Sequence, residues 1–218
     1  MLRLERVSFS YAQQEKLYND LQFDFGVCGI TALWGISGSG KTTLLKIIGW
    51  LIEPQEWNII FEWISLSSFT RKQLTTYRNK HVWFSFQDHV LLDECSVQQN
   101  LMLPFLVGWW SVDREWYNYL VDIFSLRDLL DKSIESISWW EKERVSLVKS
   151  LIHKPYILLL DEPWDSLDAA LKTILRNVIQ DYAENHIVIL ASHDASLIKL
   201  LWLEQKATLW PLSLLCSN

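Results

Sequence analysis

The residues best suited to chemistry form a glycine-rich segment that ends in a lysine and two threonines, Gly35-Ile36-Ser37-Gly38-Ser39-Gly40-Lys41-Thr42-Thr43. It fits the pattern G-x-x-x-x-G-K-[ST], in which backbone N–H groups cradle phosphate oxygens. A short apolar strand is predicted before it and a helix from Lys41 to about Leu51 after it, so the phosphates would meet a helix N-terminus. We expect Lys41 to reach the β- and γ-phosphates and the Thr42 hydroxyl to bind Mg²⁺. The segment therefore predicts a nucleoside triphosphate site.

Two adjacent carboxylates, Asp161 and Glu162, follow the apolar run Tyr156–Leu160. A parallel strand carries such residues to its carboxyl end, where ligands bind in α/β folds. We expect Asp161 to hold the Mg²⁺ shell through water and Glu162 to orient or deprotonate an attacking water. Taken alone, the pair could equally be acidic residues at the solvent end of a buried strand. The glycine-rich segment favours the catalytic interpretation.

Apolar runs alternate with helical patterns over most of the chain. Strands are predicted at 2–9, 30–34, 82–86, 156–160, 187–191 and 207–209, with helical patterns around 116–124, 145–152 and 167–182. This alternation predicts an α/β fold with a mainly parallel sheet. Residues from about 88 to 150 show helix signals and no convincing strand. We therefore predict a single domain with a core lobe of about 1–87 and 151–218 and an inserted helical lobe of about 88–150.

Composition narrows the class of protein. Half of the 218 residues are apolar and the net charge is −6, which argues against a general nucleic-acid binder because such proteins usually carry a basic face. The three cysteines lie far apart without metal-ligand spacing, which favours a reducing, cytoplasmic setting. No signal peptide is evident, and no run approaches the ~20 apolar residues of a membrane span. We expect any work at a membrane to need a partner.

Together and in this order, the motifs resemble those of the ATP-binding-cassette (ABC) ATPases over nearly the whole chain. The resemblance implies ATP and Mg²⁺ as cofactors and gives further residues roles by position. Gln87 would contact Mg²⁺ and the attacking water, His193 the γ-phosphate, and Tyr11 would stack on adenine. Asp168 falls in a loop that crosses the dimer interface. Ser138-Trp139-Trp140-Glu141 occupies the signature loop, which grips the ATP of the partner subunit.

The resemblance also implies a function. The chain would be the ATP-hydrolysing subunit of a transporter, pairing with a second ATPase subunit, as a homodimer, and driving an integral-membrane permease from the inner face of the cell membrane; no nucleic-acid partner is expected. Gln87–Leu92 and Asn100–Pro104 are similar to the branch that serves lipoprotein release, macrolide export and cell division. The predicted catalytic residues are Lys41, Gln87, Glu162 and His193; the metal-binding residues are Thr42, Gln87 and Asp161; the ATP-binding residues are Tyr11, Gly35, Ile36, Ser37, Gly38, Ser39, Gly40, Lys41, Thr42, Thr43, Ser138, Trp139, Trp140, Glu141 and Asp168.

Glycine is scarce and tryptophan is abundant, at 7 and 13 residues. Average glycine usage predicts about 15 glycines in a chain of this length. Tryptophan also stands where the resemblance expects glycine or another small residue, at Trp50, Trp57, Trp63, Trp83, Trp139 and Trp140. It is a poor substitute wherever φ is positive or two backbones approach closely. We hypothesise that the gene uses UGA codons for glycine and that this sequence renders them as tryptophan.

Two alternatives remain open at this point. In one, Trp139 and Trp140 are genuine and the protein is an ATP-binding regulator that does not hydrolyse. In the other, it is a non-transport ABC ATPase acting on DNA or ribosomes, against which the lack of a coiled-coil arm, zinc-type cysteines and basic tracts argues. The intact catalytic groups, such as Lys41 and Glu162, favour an active enzyme, because a decaying ATPase loses catalytic groups as well as glycines.

Overall fold

The computed structural model describes residues 1–12, 16–85, 90–107, 111–164, 167–193 and 207–211. Its β-strands are Leu2–Phe9 (β1), Tyr18–Gly26 (β2), Gly29–Trp34 (β3), Glu56–Phe61 (β4), Ile64–Ser65 (β5), Val82–Ser85 (β6), Ile157–Asp161 (β7), Ile187–Ser192 (β8) and Ala207–Pro211 (β9). Its α-helices are Lys41–Ile48 (α1), Arg71–His81 (α2), Val97–Val107 (α3), Arg114–Ile123 (α4), Trp139–Leu151 (α5) and Ala169–Ala183 (α6).

A five-stranded sheet forms the centre of the molecule, in the order β6-β7-β8-β3-β9 with every neighbouring pair parallel. All residues of β7 and β8 are buried, as expected for strands covered on both faces. The predicted α/β fold with a parallel sheet is therefore confirmed. The register places Trp34 beside Ser192, and Ala191 beside Asp161, so the carboxyl ends of β3, β8 and β7 share one edge.

A second, antiparallel sheet in the order β2-β1-β4-β5 was not predicted as such. Only β1 was expected from the sequence. Strand β2 mixes apolar and polar residues without strict alternation, and β1 breaks its register where Arg6 has a φ of 51°. Periodicity is a weak signal for such short, irregular, half-exposed strands. This sheet matters for function because it carries Tyr11, just beyond β1, and Tyr18 to the glycine-rich segment.

Most helices follow their apolar patterns. The sequence pattern predicted no separate helix for α2 or α3, and it placed the end of α1 too late. Helix α2 is polar on most faces and is marked instead by a capping box in which the Thr70 and Gln73 side chains bond each other's backbone N–H. Helix α3 contains Pro104, which obscures its pattern. Helix α1 ends at Ile48 rather than near Leu51.

Buried side chains form two clusters, one on each side of the parallel sheet. One combines α3–α6 with one sheet face, and the other fills the space between the two sheets and α1. Between residues 90 and 151, the described chain contains helices and the isolated bridge Ser96↔Ser133. The division into core and helical lobes stays a prediction. None of the described helices is long and apolar enough to cross a membrane.

Candidate functional site

The loop between β3 and α1, Gly35–Gly40, is called the phosphate loop here. Gly38 and Gly40 have φ values of 81° and 97°, a region that glycine adopts without strain. Gly40 directly precedes α1, where no side-chain cap and no acidic residue satisfies the first N–H groups. A helix N-terminus with free donors and a favourable dipole suits an anion. The start of α1 therefore offers N–H donors whose hydrogen bonds a phosphate group could accept.

A cavity of about 400 Å³ opens over this loop. It is lined by Tyr11, Leu17, Ser37, Gly38, Gly40, Lys41, Thr42, Thr43 and Glu162. Sequence reasoning missed only Leu17 among these. An apolar residue just before an irregular strand gives no functional signal, and only the antiparallel sheet brings it here.

The ammonium of Lys41 lies at the floor of the cavity. Its Nζ donates to the carbonyl oxygens of Gly35 at 2.9 Å and Ile36 at 3.3 Å. It lies 3.7 Å from the Glu162 carboxylate, and both side chains are 7% exposed. Three predicted loop residues, Gly35, Ile36 and Ser39, do not line the cavity, and the first two instead hold the lysine. The buried Ser39 Oγ has no hydrogen-bond partner among the described residues.

Asp161 ends β7 and is 6% exposed. Burial raises the pKa of its carboxyl, while a hydrogen bond from Thr42 and the Lys41 charge oppose that rise. Its Oδ1 is buried without a hydrogen-bond partner. Mg²⁺ and Ca²⁺ prefer carboxylate, hydroxyl and water oxygens. A carboxylate oxygen that lacks a partner, beside a threonine hydroxyl, therefore fits a divalent cation at the predicted position.

Glu162 and His193 contact each other directly. Glu162 Oε1 lies 3.0 Å from His193 Nδ1, and Oε2 accepts a hydrogen bond from the His193 backbone N–H at 3.1 Å. Glu162 has a φ of 50°, an uncommon conformation for this residue type that places strain at the end of β7. The histidine side chain is 58% exposed. The register of β7 and β8 thus joins two predicted catalytic residues that are far apart in sequence.

Tyr11 reaches the mouth of the cavity from the antiparallel sheet. Its hydroxyl and the Thr43 Oγ1 are 2.8 Å apart, and its ring packs edge-on against Phe9 at 5.0 Å. The residue remains 45% exposed. A ring anchored at its hydroxyl and open on its face is suited to stacking on a planar base.

The signature segment, Ser138–Glu141, lies at the start of α5 and contributes no residue to the lining of this cavity. Ser138 and Glu141 form a capping box, with the Ser138 N–H donating to Glu141 Oε2 at 2.7 Å. Hydrogen bonds from Ser138 lower the pKa of Glu141. Trp139 and Trp140 are 51% and 59% exposed and pack edge-on at 4.8 Å. Two indoles therefore project where the resemblance places an ATP-gripping backbone.

Two further predicted residues stand apart. Asp168 caps α6, its Oδ1 accepting from the Leu171 N–H at 2.8 Å, so it has a helix-capping role whatever else it does. Gln87 lies outside the described residues.

Trp50 occupies a position that favours glycine. It follows the C-cap of α1 with a φ of 54°. Its N–H donates to the Ile47 carbonyl at 3.0 Å, and the Leu51 N–H donates to the Lys46 carbonyl at 2.8 Å. This is the hydrogen-bond pattern of a Schellman motif, whose left-handed residue is usually glycine.

Trp63 occupies a second position that favours glycine. Glu62 and Trp63 form the two-residue turn between β4 and β5, with φ values of 49° and 67°. A hairpin turn with two positive φ values favours Asn-Gly or Asp-Gly strongly. The indole of Trp63 is 78% exposed and so gains little from packing.

The remaining tryptophans behave differently. Trp57, Trp83, Trp139 and Trp140 do not have positive φ, so backbone conformation alone does not demand glycine there. Trp116 is well used as a tryptophan: its Nε1 donates to the Leu151 carbonyl at 2.9 Å, and Lys154 Nζ lies 5.1 Å over its ring. Trp164 is 1% exposed.

Comparisons with known proteins agree with this geometry. The profile of the family described as "ABC transporter" matches residues 18–165. The "Lipoprotein-releasing system ATP-binding protein LolD" of Bacteroides thetaiotaomicron is 32% identical over 206 residues, covering 92% of this chain and 93% of that protein. Its namesake from Ehrlichia canis is 38% identical over 173 residues, covering 77% and 76%.

Among solved structures, the fold is similar to that of the dimeric, post-hydrolysis ATP-binding cassette MJ0796 bound to ADP and Pi, with a TM-score of 0.77, 22% identity and 90% of each chain covered. A putative ABC transporter ATP-binding protein from Pyrococcus furiosus gives a TM-score of 0.74 at 22% identity, covering 88% of this chain and 91% of that one. The family match, the relatives and the fold agree: the chain belongs to the ABC transporter family, as one of its ATP-binding subunits.

Proposed function

We propose that this protein binds and hydrolyses ATP with Mg²⁺ and drives a membrane permease. The single observation that supports this most is the meeting of Lys41, the adjacent pair Asp161 and Glu162, and His193 beside the phosphate loop, since the sequence separates these three parts of the chain widely. Each has the chemical type that hydrolysis of a phosphoanhydride needs. The enzyme's contribution to phosphoryl transfer is mainly positioning and charge stabilisation.

In this proposal the phosphates lie over the start of α1. Backbone N–H groups of the phosphate loop and the Lys41 ammonium bind the β- and γ-phosphates, and Tyr11 stacks on adenine. Thr42, Asp161 and Gln87 would hold Mg²⁺, which would supply positive charge beside the phosphate oxygens. Glu162 orients the attacking water and takes its proton, while His193, 3.0 Å away, holds that carboxylate and contacts the γ-phosphate.

Assembly follows the family resemblance. Two such subunits would close head to tail around two ATPs, with Ser138 and the signature segment of one facing the phosphate loop of the other. Asp168 would lie at that interface. We propose that the helical lobe of about 88–150 passes the closing motion to the permease at the inner face of the membrane. The names of the relatives favour a lipoprotein-releasing or related system.

We further propose that glycine stands at Trp50, Trp63, Trp139 and Trp140 in the protein that the cell makes. At the first two, the support is a Schellman motif and a two-residue hairpin turn, both with positive φ. These are local backbone arguments and need no family comparison. At the signature segment, the support is steric, because exposed indoles would keep a partner's nucleotide away from the backbone.

The direct test of the proposed activity is a phosphate-release assay of the protein purified from its native cell, with and without Mg²⁺. We expect Mg²⁺-dependent turnover that Lys41→Met abolishes together with ATP binding, because removing a charged donor to phosphate leaves that charge unpaired. A native protein that binds no ATP would overturn the proposal.

Peptide mass spectrometry of the same sample tests the identity of residues 139 and 140, read beside the gene's codons. Two glycines encoded by UGA would establish the residues at these positions and support the hydrolysing, dimerising form. Two tryptophans encoded by UGG, with ATP bound but not hydrolysed, would support the regulator instead.

A further inference from the structure

Tyr18, at the start of β2, lies beneath the phosphate loop. It is 2% exposed, and its hydroxyl donates to the Gly40 carbonyl oxygen at 2.6 Å. The same carbonyl accepts the Leu44 N–H at 2.9 Å. Because a carbonyl oxygen has two lone pairs, these two donors satisfy it fully. The tyrosine thus adds a second hold on the peptide that opens α1.

The fit between Tyr18 and Gly40 is also steric. A Cβ at Gly40 would lie 2.5 Å from the Tyr18 hydroxyl oxygen and 3.1 Å from Leu17 Cδ2. A Cβ at Gly38 would meet nothing within 4 Å, although both glycines have positive φ. The hydroxyl therefore fills the space beneath Gly40 that a side chain would take. Gly40 is required twice, by its conformation and by this contact.

The carbonyl of Gly40 and the N–H of Lys41 belong to one planar trans peptide and point in opposite directions. A carbonyl held towards Tyr18 turns the Lys41 N–H away from the tyrosine, and both residues of this peptide, Gly40 and Lys41, line the cavity. This N–H is in the first turn of α1 and has no partner within the helix. It is free to donate to an anion.

We propose that Tyr18 is a positioning residue for phosphate binding: its hydroxyl fixes the Gly40–Lys41 peptide so that the Lys41 N–H donates to the β-phosphate of a nucleoside di- or triphosphate. Tyr18 does not line the cavity itself and acts through the loop. The inference rests on the proposed ATP site and adds to it a hydrogen bond from Tyr18 of the antiparallel sheet.

The test compares Tyr18→Phe with Tyr156→Phe, which removes a phenol that likewise donates to a backbone carbonyl, that of Val27 at 2.9 Å, away from the cavity. MgADP is titrated calorimetrically into the parent chain and both variants, and the ADP-induced shift of the Lys41 amide is followed by NMR. We expect Tyr18→Phe to raise the Kd about two- to tenfold, the equivalent of one hydrogen bond. Its Lys41 amide shift should shrink, and Tyr156→Phe should match the parent in both measurements.

An unchanged Kd in Tyr18→Phe would overturn the proposal. So would a raised Kd with an unaltered Lys41 shift, since the effect would then be general loosening of the packing. A parent chain that binds no MgADP would instead refute the ATP site itself, and that result appears before any variant is made.

Discussion

Helices α1 and α5 begin in opposite ways, and the contrast bears on the two kinds of nucleotide contact that we propose for them. Helix α1 starts after a left-handed glycine with no side-chain cap, so its first N–H groups are left for a ligand. Helix α5 starts with a Ser138–Glu141 capping box that satisfies its own N-terminus. The start of α1 therefore suits an anion, as the proposed phosphate binding requires. The start of α5 satisfies its own N–H groups, so the proposed contact with a partner's nucleotide depends on whether that nucleotide can reach the backbone there.

The same contrast appears in how the chain treats positive φ. In the phosphate loop the left-handed positions are glycines, Gly38 and Gly40. After α1 the left-handed position is Trp50, and between β4 and β5 the two left-handed positions are Glu62 and Trp63. The phosphate loop has glycine at its left-handed positions, and the other two turns do not. Rendering UGA glycine codons as tryptophan would account for Trp50 and Trp63 together, and it leaves Glu62 unexplained.

The largest expected effect is at the phosphate-loop side. In the chain that hydrolyses ATP, Glu162→Gln should lower kcat by between about a hundredfold and ten-thousandfold, because the amide cannot accept the proton of the attacking water. ATP binding should persist, since Lys41 and the loop are intact. Steady-state phosphate release and ATP titration measure the two. Glu184→Gln, at an exposed helix end, is the matched control; a Glu162→Gln variant with the kcat of its parent would remove Glu162 from the mechanism.

The next effect is at α5. In the chain with tryptophan at both positions, replacing Trp139 and Trp140 by glycine should raise kcat about a hundredfold. The signature-segment backbone could then reach the partner's ATP, and a small misplacement of catalytic groups costs a rate factor of this size. Size-exclusion chromatography with MgATP should show dimers only for the glycine form. Trp63→Gly, which also removes an exposed indole, should leave both measurements unchanged. Equal activity of the tryptophan and double-glycine forms would show that the signature segment does not need glycine.

A stability test examines the metal position. Burial raises the pKa of Asp161, so the folded state binds this proton more readily than the unfolded state. The charged form therefore costs stability, and that cost grows as pH rises from the unfolded-state value towards the raised one. At neutral pH without Mg²⁺, Asp161→Asn should raise Tm by about 2–4 °C, which is about 1 kcal/mol at this size. Thermal melts at several pH values measure this.

Mg²⁺ should raise the Tm of the parent chain and not that of Asp161→Asn, because binding to the folded state alone stabilises it. An Asp161→Asn variant that Mg²⁺ stabilises as much as the parent would contradict the metal assignment.

The smallest effect is expected at Trp63, and Trp116 provides the contrast. Trp63→Gly should leave the free energy of unfolding unchanged or raise it by about 1 kcal/mol, because strain at a positive φ is relieved and little packing is lost. Trp116→Gly should lower it by about 3–5 kcal/mol, since its indole is packed and hydrogen-bonded. Denaturant unfolding gives both values. Equal losses would mean that Trp63 is a genuine, used tryptophan.

Much of the site was predictable from local chemistry. The phosphate loop, Lys41 and Thr42 form one continuous motif, and the apolar runs before Asp161 and His193 predict parallel strands. The strand register then decided the Glu162–His193 contact, which no spacing along the chain encodes. The second sheet was missed because β2 and β5 lack strict alternation, and with it went Leu17 and Tyr18.

The sequence by itself determined the fold class and the excess of tryptophan over glycine, and it predicted the phosphate site, because each depends on residue types close together in the chain. Only the tertiary structure decided which tryptophans violate backbone rules, which carboxylate oxygen lacks a partner, and which tyrosine supports the phosphate loop. Those properties depend on φ values and on contacts between distant segments. Packing sets both, and it brings Tyr18 of one sheet to the peptide that follows a strand of the other.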